Sequence, residues 1–300
     1  MELRSLQVLV EVIRQGGFTA AGKHVLLTQP SVSRQIKLLE DELGQVLLVR
    51  DRHAITLTDA GKIVYQRALS LLGETARLRA ELDELAGLRR GELSLGVPPL
   101  AGMLFVPLIR AFKELYPAVE LRLFESGSDT IEGALTSGEV EIGMLLQPVA
   151  GERFESAPIF QDSLALVVPP GSPWARKRSV PLAALKDAPL ILFPEGFTLN
   201  DRIAGACRRA GFAPQITGRS GQPQFIAALV GSGAGVALLP HFVIRDMPGI
   251  AVVEIEDAVI DWSPALAWLR GQYLSCAGRA LVELAKKEET WRDARTALGQ

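Results

Sequence analysis

The sequence predicts three architectures in series: an α-rich winged helix-turn-helix over residues 1–60, a long linker helix over 61–90, and a two-lobed α/β domain over 91–300. Three observations predict that order. Apolar residues recur every three or four positions in short helical runs, followed by a small hairpin. Residues 58–91 then carry a long helical pattern of their own. Beyond Gly91, apolar strands alternate with helices, as they do in layered α/β domains.

Leu3, Leu6, Leu9, Val10 and Ile13 mark the first amphipathic helix, which Gly16 and Gly17 end. In the second, "FTAAGKHVL", Phe18, Ala21 and Val25 share one side. The third, "TQPSVSRQIKLLEDELG", opens with Thr28 as a cap and Pro30 in its first turn. Its stripe is Val32, Ile36, Leu39 and Leu43, and Gly44 stops it. Gln29, Ser33 and Lys37 lie four apart on another face, with Arg34 beside them. Those side chains suit base edges and phosphates. An ordinary solvated helix face has the same look, so this pattern alone leaves both readings open. Two short runs, "QVLLVR" and "AITLT", flank "DRH" and complete the winged outline.

In the linker, Ile63, Ala68, Leu72, Leu78, Leu82 and Leu85 form an apolar seam. A helix of 28 residues spans about 42 Å. An isolated seam of that length needs a second copy to cover it, which predicts a spacer and dimerisation helix. Packing onto its own domain is the alternative.

After Gly91, "ELSLGV", "AVELRLFE" and "VEIGMLL" read as strands of a parallel sheet, with helices between them, the first holding an internal proline. The pattern restarts with "LALVVPP", "PLILFP", "GVALLP" and "IAVVEI", and "CAGRALVELAKKEETW" closes the chain as a helix. This predicts lobe I over 91–161 plus 266–300 and lobe II over 162–265. Two crossings make a hinge, and the cleft between lobes is the expected ligand site. Helices start after strands at Pro98–Gly102, Gly127–Thr130, Phe197–Thr198 and Gly221–Gln224. Free N–H groups and hydroxyls there favour a small anion, with Pro98, Pro99, Leu100 and Phe197 as apolar walls. Each such residue is equally a plausible cap; "TLND" itself reads as a capping box from Thr198 to Asp201.

Composition closes several doors. Apolar residues make up 48% and charged residues 22%, with a net charge of -2, so the chain is not a basic nucleic-acid coat. Lys and Arg outnumber Asp and Glu thirteen to eleven in the first ninety residues, a slight lean toward an anionic partner there. Cys207 and Cys276 stand far apart with no zinc spacing, and are expected as plain buried or semi-buried thiols in a reducing compartment. No run of 18 apolar residues exists, and Glu2 and Glu11 stand where a secretory leader is basic and then apolar, which predicts a cytoplasmic protein without a membrane partner. The nucleotide and nucleophile motifs GxGxxG, GxxxxGK[ST] and GxSxG are absent, and "GSGAG" at Gly231–Gly235 follows a helix instead of opening one. His24, His53 and His241 fall in separate segments, so neither a histidine triad, nor a metal site, nor a cofactor is expected; His53 is a hairpin-tip residue that suits solvent or phosphate equally.

"TQPSVSRQIKLLEDELG" followed by "LTDAG" resembles the DNA-binding region of the LysR-type transcriptional regulators. "GVPPLAG", "YPAVELRL", "SGEVEIG", "PEGFTL" and "GSGAGVALLP" resemble that family's effector domain in the same order, so the likeness covers the whole chain. It implies a two-lobed effector domain resembling type 2 periplasmic binding proteins, joined by the linker helix to the winged domain. It also implies a homodimer or dimer of dimers on promoter DNA, bending of that DNA, contact with RNA polymerase, and a small-molecule effector in the cleft. By position, Gln29, Ser31, Ser33, Arg34 and Lys37 would read DNA, Thr28 and Pro30 would shape the start of that helix with Thr28 near phosphate, and Arg50 and Arg52 would serve the wing. Effector contacts map onto Pro99, Leu100, Ser128, Phe197 and Thr198.

Some residues depart from the family pattern. Gly22 replaces a usual alanine at a helix-propensity cost of about 1 kcal/mol. Leu48 stands for phenylalanine, Val49 for an acidic or small polar residue, and Pro99 for a common hydroxyl, the last arguing against an aromatic acid as effector. "GVPPLAG" with "ESGSDTIEGAL" resembles branches of the family associated with small carboxylates or central metabolism. The competing function is a small-molecule binding protein of this fold without DNA binding, against which the polar set Gln29, Ser33, Arg34 and Lys37 argues. An enzyme in the cleft lacks any recognisable nucleophile or cofactor motif.

Overall fold

The computed structural model describes residues 1–50, 55–85 and 91–291. The chain divides into two units, Met1–Ala86 with Thr136–Glu139, and Gly87–Leu135 with Val140–Gln300.

In the first unit, helices α1 (Leu3–Arg14), α2 (Phe18–His24) and α3 (Gln29–Leu43) precede a hairpin of β1 (Leu48–Arg50) and β2 (Ile55–Leu57), and α4 (Asp59–Leu85) follows. Leu6, Leu9 and Val12 of α1 bury against Ala21, Val32, Ile36 and Leu39, with Ala68 and Leu69 of α4 closing the same core. Thr28 caps α3 by accepting from the Ser31 N–H, Pro30 occupies the first turn, and Gly44 ends the helix at φ 64°. The buried stripe stops at Leu39. Leu43, expected to continue it, is exposed because it lies in the last turn, beyond the reach of that core. β1 and β2 pair antiparallel from Leu48↔Leu57 to Arg50↔Ile55. Arg52 and His53 at the hairpin tip lie outside the described residues.

The expected seam on α4 splits between two faces. Ala68 is buried and Leu72 partly buried within the winged domain's own core, whereas Ile63, Leu71, Leu78 and Leu82 are exposed along the helix. Periodicity could not separate these faces, because α1 supplies a cover for one of them.

The second unit begins with β3 (Gly91–Val97), a 3-10 turn at Pro99–Ala101, α5 (Gly102–Leu115), β4 (Val119–Glu125), α6 (Ser128–Ser137), β5 (Ile142–Leu146) and β6 (Phe154–Pro158). Next come β7 (Asp162–Val168), β8 (Ser179–Val180), β9 (Pro189–Leu192), α7 (Thr198–Arg209), β10 (Gln215–Arg219), α8 (Pro223–Gly231), β11 (Ala237–Pro240) and α9 (His241–Ile244). The chain finishes with β12 (Ala251–Ile255), β13 (Asp261–Trp262), β14 (Pro264–Leu269), α10 (Cys276–Ala285) and a 3-10 turn at Glu288–Trp291. One sheet runs β4-β3-β5-β14-β6, the other β11-β7-β12-β8 with β13 also on β7. β9 and β10 pair in parallel, and a bridge from Leu190 to Val236 links them toward β11.

The parallel expectation holds for β4, β3 and β5. It fails in the second sheet, where β11, β12 and β13 all run antiparallel to β7. β7 enters directly from β6 across three residues, with no helical crossover to set a common direction. β14 begins at Pro264 and pairs with β5 and β6 of the first sheet. Among the described residues, no helix is long and apolar enough to cross a membrane.

Candidate functional site

α3 presents two chemically opposite sides. Val32 and Ile36 are fully buried, while Thr28, Gln29, Pro30, Arg34 and Lys37 are exposed and Ser31 and Ser33 half-buried. The Thr28 and Ser31 hydroxyls sit 2.9 Å apart, which orders the helix start from which Gln29 projects. The sequence-derived residues from Thr28 to Lys37 are thus gathered along one helix. Arg50 closes β1.

In the second unit, β3 and β4 end in register, Val97 opposite Glu125. The turn holding Pro99 and Leu100 and the start of α6 at Ser128 therefore leave the same carboxyl edge of that sheet. Leu100 is buried, Pro99 half-buried, and Ser128 only 6% exposed. Facing them from the other lobe is the start of α7. The Asp129 N–H donates to the Gly196 carbonyl at 3.1 Å. A Cβ on Gly127 would lie 2.6 Å from that carbonyl oxygen and 3.0 Å from the Phe197 ring, so glycine permits the lobes to meet there. Phe197 is itself buried and stacks on Phe193 with centroids 5.8 Å apart. Ser128, Phe197 and Thr198 are brought to one place, with Pro99 and Leu100 on the adjoining sheet edge.

The expected capping box at Thr198 does not form. Phe197 is the N-cap and makes no side-chain cap bond, so Thr198 is already the first helical residue. Asn200 orders the turn instead: its Oδ1 accepts from the Phe193 N–H, and its Nδ2 donates to the carbonyls of Phe193 at 3.1 Å and Pro194 at 2.8 Å. The side chain satisfying the loop is two residues into the helix, where a pattern based on Thr198 cannot see it.

Arg202 carries no distinguishing signal in the sequence, where it reads as one more polar residue on a helix. Its guanidinium donates to the Asp261 carbonyl at 2.8 Å, to the Asp261 carboxylate at 3.0 Å, and to the Gln147 carbonyl. α7 of one lobe is thereby tied to the end of β5 in the other. Cys207 is buried, and burial pushes its thiol pKa up. Cys276 is exposed at the start of α10, contrary to the expected buried or semi-buried thiol, because only the opposite side of that helix packs inward. Among the described residues, no group of three or more His, Cys, Asp or Glu could hold a metal ion.

Residues 3–62 match the model described as "Bacterial regulatory helix-turn-helix protein, lysR family", and residues 86–290 match "LysR substrate binding domain". The chain belongs to the LysR family. A LysR-family relative, the HTH-type transcriptional regulator YwbI of Bacillus subtilis (strain 168), is 36% identical over 289 residues, covering 95% of this chain and 96% of that one. The DNA-binding transcriptional dual regulator OxyR of Escherichia coli (strain K12) is 29% identical, with 81% of this chain and 80% of OxyR covered. Full-length CbnR, solved in complex with its target DNA, superposes with a TM-score of 0.68 at 27% identity over 95% of this chain and 99% of CbnR. As a LysR protein, the chain is a DNA-binding transcriptional regulator with an effector-binding domain.

Proposed function

We propose that this LysR regulator reads promoter DNA with Gln29, Ser31, Ser33, Arg34 and Lys37, and that a small carboxylate or related anionic metabolite in the interlobe cleft switches the complex. Thr28 and Pro30 set the start of the reading helix, with Thr28 beside a phosphate, while Arg50 and Arg52 serve the wing. Residues 1–60 bind DNA, 61–90 pair subunits, and 91–300 bind the effector. A single observation carries the DNA assignment: the side of α3 opposite buried Val32, Ile36 and Leu39 offers exposed amide, guanidinium and ammonium groups. The similarity to CbnR bound to its target DNA supports it.

For the effector, support comes from the juxtaposed starts of α6 and α7, whose positive helix-dipole ends suit an anion. Pro99, Leu100, Ser128, Phe197 and Thr198 are the side chains assigned to it. The exposed row Ile63, Leu71, Leu78 and Leu82 suits a second copy of α4, giving a homodimer or dimer of dimers. Occupancy of the cleft changes DNA bending and contact with RNA polymerase in the cytoplasm.

Mobility shift on a duplex selected from a random library by the full-length protein tests the DNA assignment. Arg34→Ala should weaken binding by about 1–3 kcal/mol with the oligomer intact, and affinity should fall steeply with salt. Equal binding of both proteins to selected and scrambled duplexes rejects it. A thermal-shift screen of small carboxylates tests the cleft: a hit that Ser128→Ala and Thr198→Ala leave unchanged removes those residues from the site.

A further inference from the structure

The chain between α3 and β1 is short and tied on both sides. From α3, the Glu40 carboxylate reaches over and accepts the backbone N–H groups of Leu47 at 2.8 Å and Leu48 at 3.2 Å through one oxygen. From the other side, Thr58, just ahead of α4, donates its hydroxyl to the Val46 carbonyl at 2.7 Å and its own N–H to the Leu47 carbonyl at 2.9 Å. The same hydroxyl oxygen accepts the Gly61 N–H at 2.9 Å. Gly61 is required there, since any Cβ would overlap the Leu47 carbonyl oxygen. Leu47 and Leu48 are both buried, so the root of the wing is fixed by apolar packing and by hydrogen bonds to two helices.

Glu40 is out of place as a surface charge. It lines an open groove with Ser33 and Lys37, on the helix assigned to DNA. A carboxylate close to a polyanion is repelled, and a surface chosen for electrostatics alone would omit it. What it gives in return is a pair of charge-assisted bonds to backbone N–H groups that the β1–β2 pairing leaves without a partner strand. Those bonds set the direction in which β1 leaves α3, and therefore the offset between the reading helix and the wing.

We propose that Glu40 is a positioning residue for operator binding: its carboxylate fixes the wing root to α3, so that helix and wing engage neighbouring grooves in one register. The inference rests on the DNA assignment above and adds to it a residue that makes no DNA contact of its own. Glutamine at this position keeps an acceptor oxygen of the same reach, whereas alanine removes it.

The test uses the full-length protein and a duplex selected from a random library by the wild type. Glu40→Gln, Glu40→Ala and Thr58→Val are compared by affinity, by protection of guanine N7 in the major groove, and by hydroxyl-radical protection, which reports minor-groove sugars. For Glu40→Ala, guanine N7 protection should persist while the flanking minor-groove protection is lost and affinity falls about tenfold. Glu40→Gln should keep the wild-type footprint and stay within about threefold in affinity. Thr58→Val, which cuts the opposite tie, should show the same selective loss and decides the matter if Glu40→Ala fails to fold. An unaltered footprint with equal or tighter binding in Glu40→Ala overturns the proposal, as does a Glu40→Gln variant that falls as far as alanine. Arg34→Ala run alongside separates the two readings, because wild-type binding by that variant would reject the DNA face itself whatever Glu40 does.

Discussion

A Cβ placed on Gly22 would lie 2.6 Å from the backbone carbonyl oxygen of Leu27. The Leu27 N–H donates back to the Gly22 carbonyl at 2.8 Å, so the turn between α2 and α3 folds directly onto the end of α2. Helix propensity alone would make Gly22→Ala stabilising by about 1 kcal/mol. The carbonyl cannot yield without moving α3, so we expect a net loss of about 1–2 kcal/mol instead. Thermal unfolding of the full chain followed by circular dichroism decides the sign, and a raised Tm would refute the steric account.

Leu26 occupies the same turn at φ 56°, the left-handed region that a branched side chain adopts at a cost of about 1–2 kcal/mol. Its side chain is 89% exposed, so it gains little packing in return. Leu26→Gly should stabilise the winged domain by about 1 kcal/mol, and Leu26→Asn by somewhat less. Denaturant titration measures it; an unchanged or lower midpoint for both variants would show that the leucine makes compensating contacts.

His241 should make the second lobe sensitive to alkali. Nδ1 faces the Ser163 carbonyl at 2.8 Å and the Asp162 carboxylate at 3.5 Å, while Nε2 faces the Glu254 carboxylate at 2.9 Å. Every partner accepts, so both ring nitrogens must donate and the ring is an imidazolium. The pKa is pushed up to about 9, first by Asp162 and then by Glu254, against desolvation. A raised folded-state pKa gives stability that is complete below about pH 6.5 and is lost as pH rises through 9. Because Glu254 is half-exposed, we expect about 2 kcal/mol and not the full unscreened amount. His241→Gln should flatten the stability profile between those limits, and a parallel profile displaced downward at every pH would contradict the charge assignment.

Replacing Arg202 tests the tie between lobes. One planar guanidinium spans acceptors on Asp261 and Gln147, a fork that the single ammonium of lysine cannot reproduce. Arg202→Lys should therefore cost nearly as much as Arg202→Ala, about 2–3 kcal/mol, by leaving half-buried carbonyls unpaired. Hydrogen exchange should rise at Gln147 and in β13. A lysine variant with wild-type exchange and stability would show that charge alone suffices.

Much of the winged domain was legible because its signals are local. Thr28, Pro30 and Gly44 bound α3 through backbone geometry within a few residues, and Val32, Ile36 and Leu39 bury as their spacing requires. Other elements left almost no trace. β10, "QITGR", is largely exposed and exists because β9 offers it an edge. β6, "FESAP", alternates weakly and ends on proline, yet β14 pairs along all of it. In the second unit, helix starts could be placed after strands, but not the approach of Gly127 to Gly196 or the bonds of Arg202, which join residues more than fifty positions apart.

The sequence by itself determined the helix boundaries at Thr28 and Gly44, the alternation of strands and helices after Gly91, and the polar set on α3. Each depends on backbone preferences or side-chain spacing over about one to four turns of chain, which need no distant partner. Tertiary structure decided which faces of α4 are covered, that β7 runs against its neighbours, and that position 22 must lack a side chain. Those outcomes depend on what another segment brings within van der Waals range, and a local pattern carries no record of it.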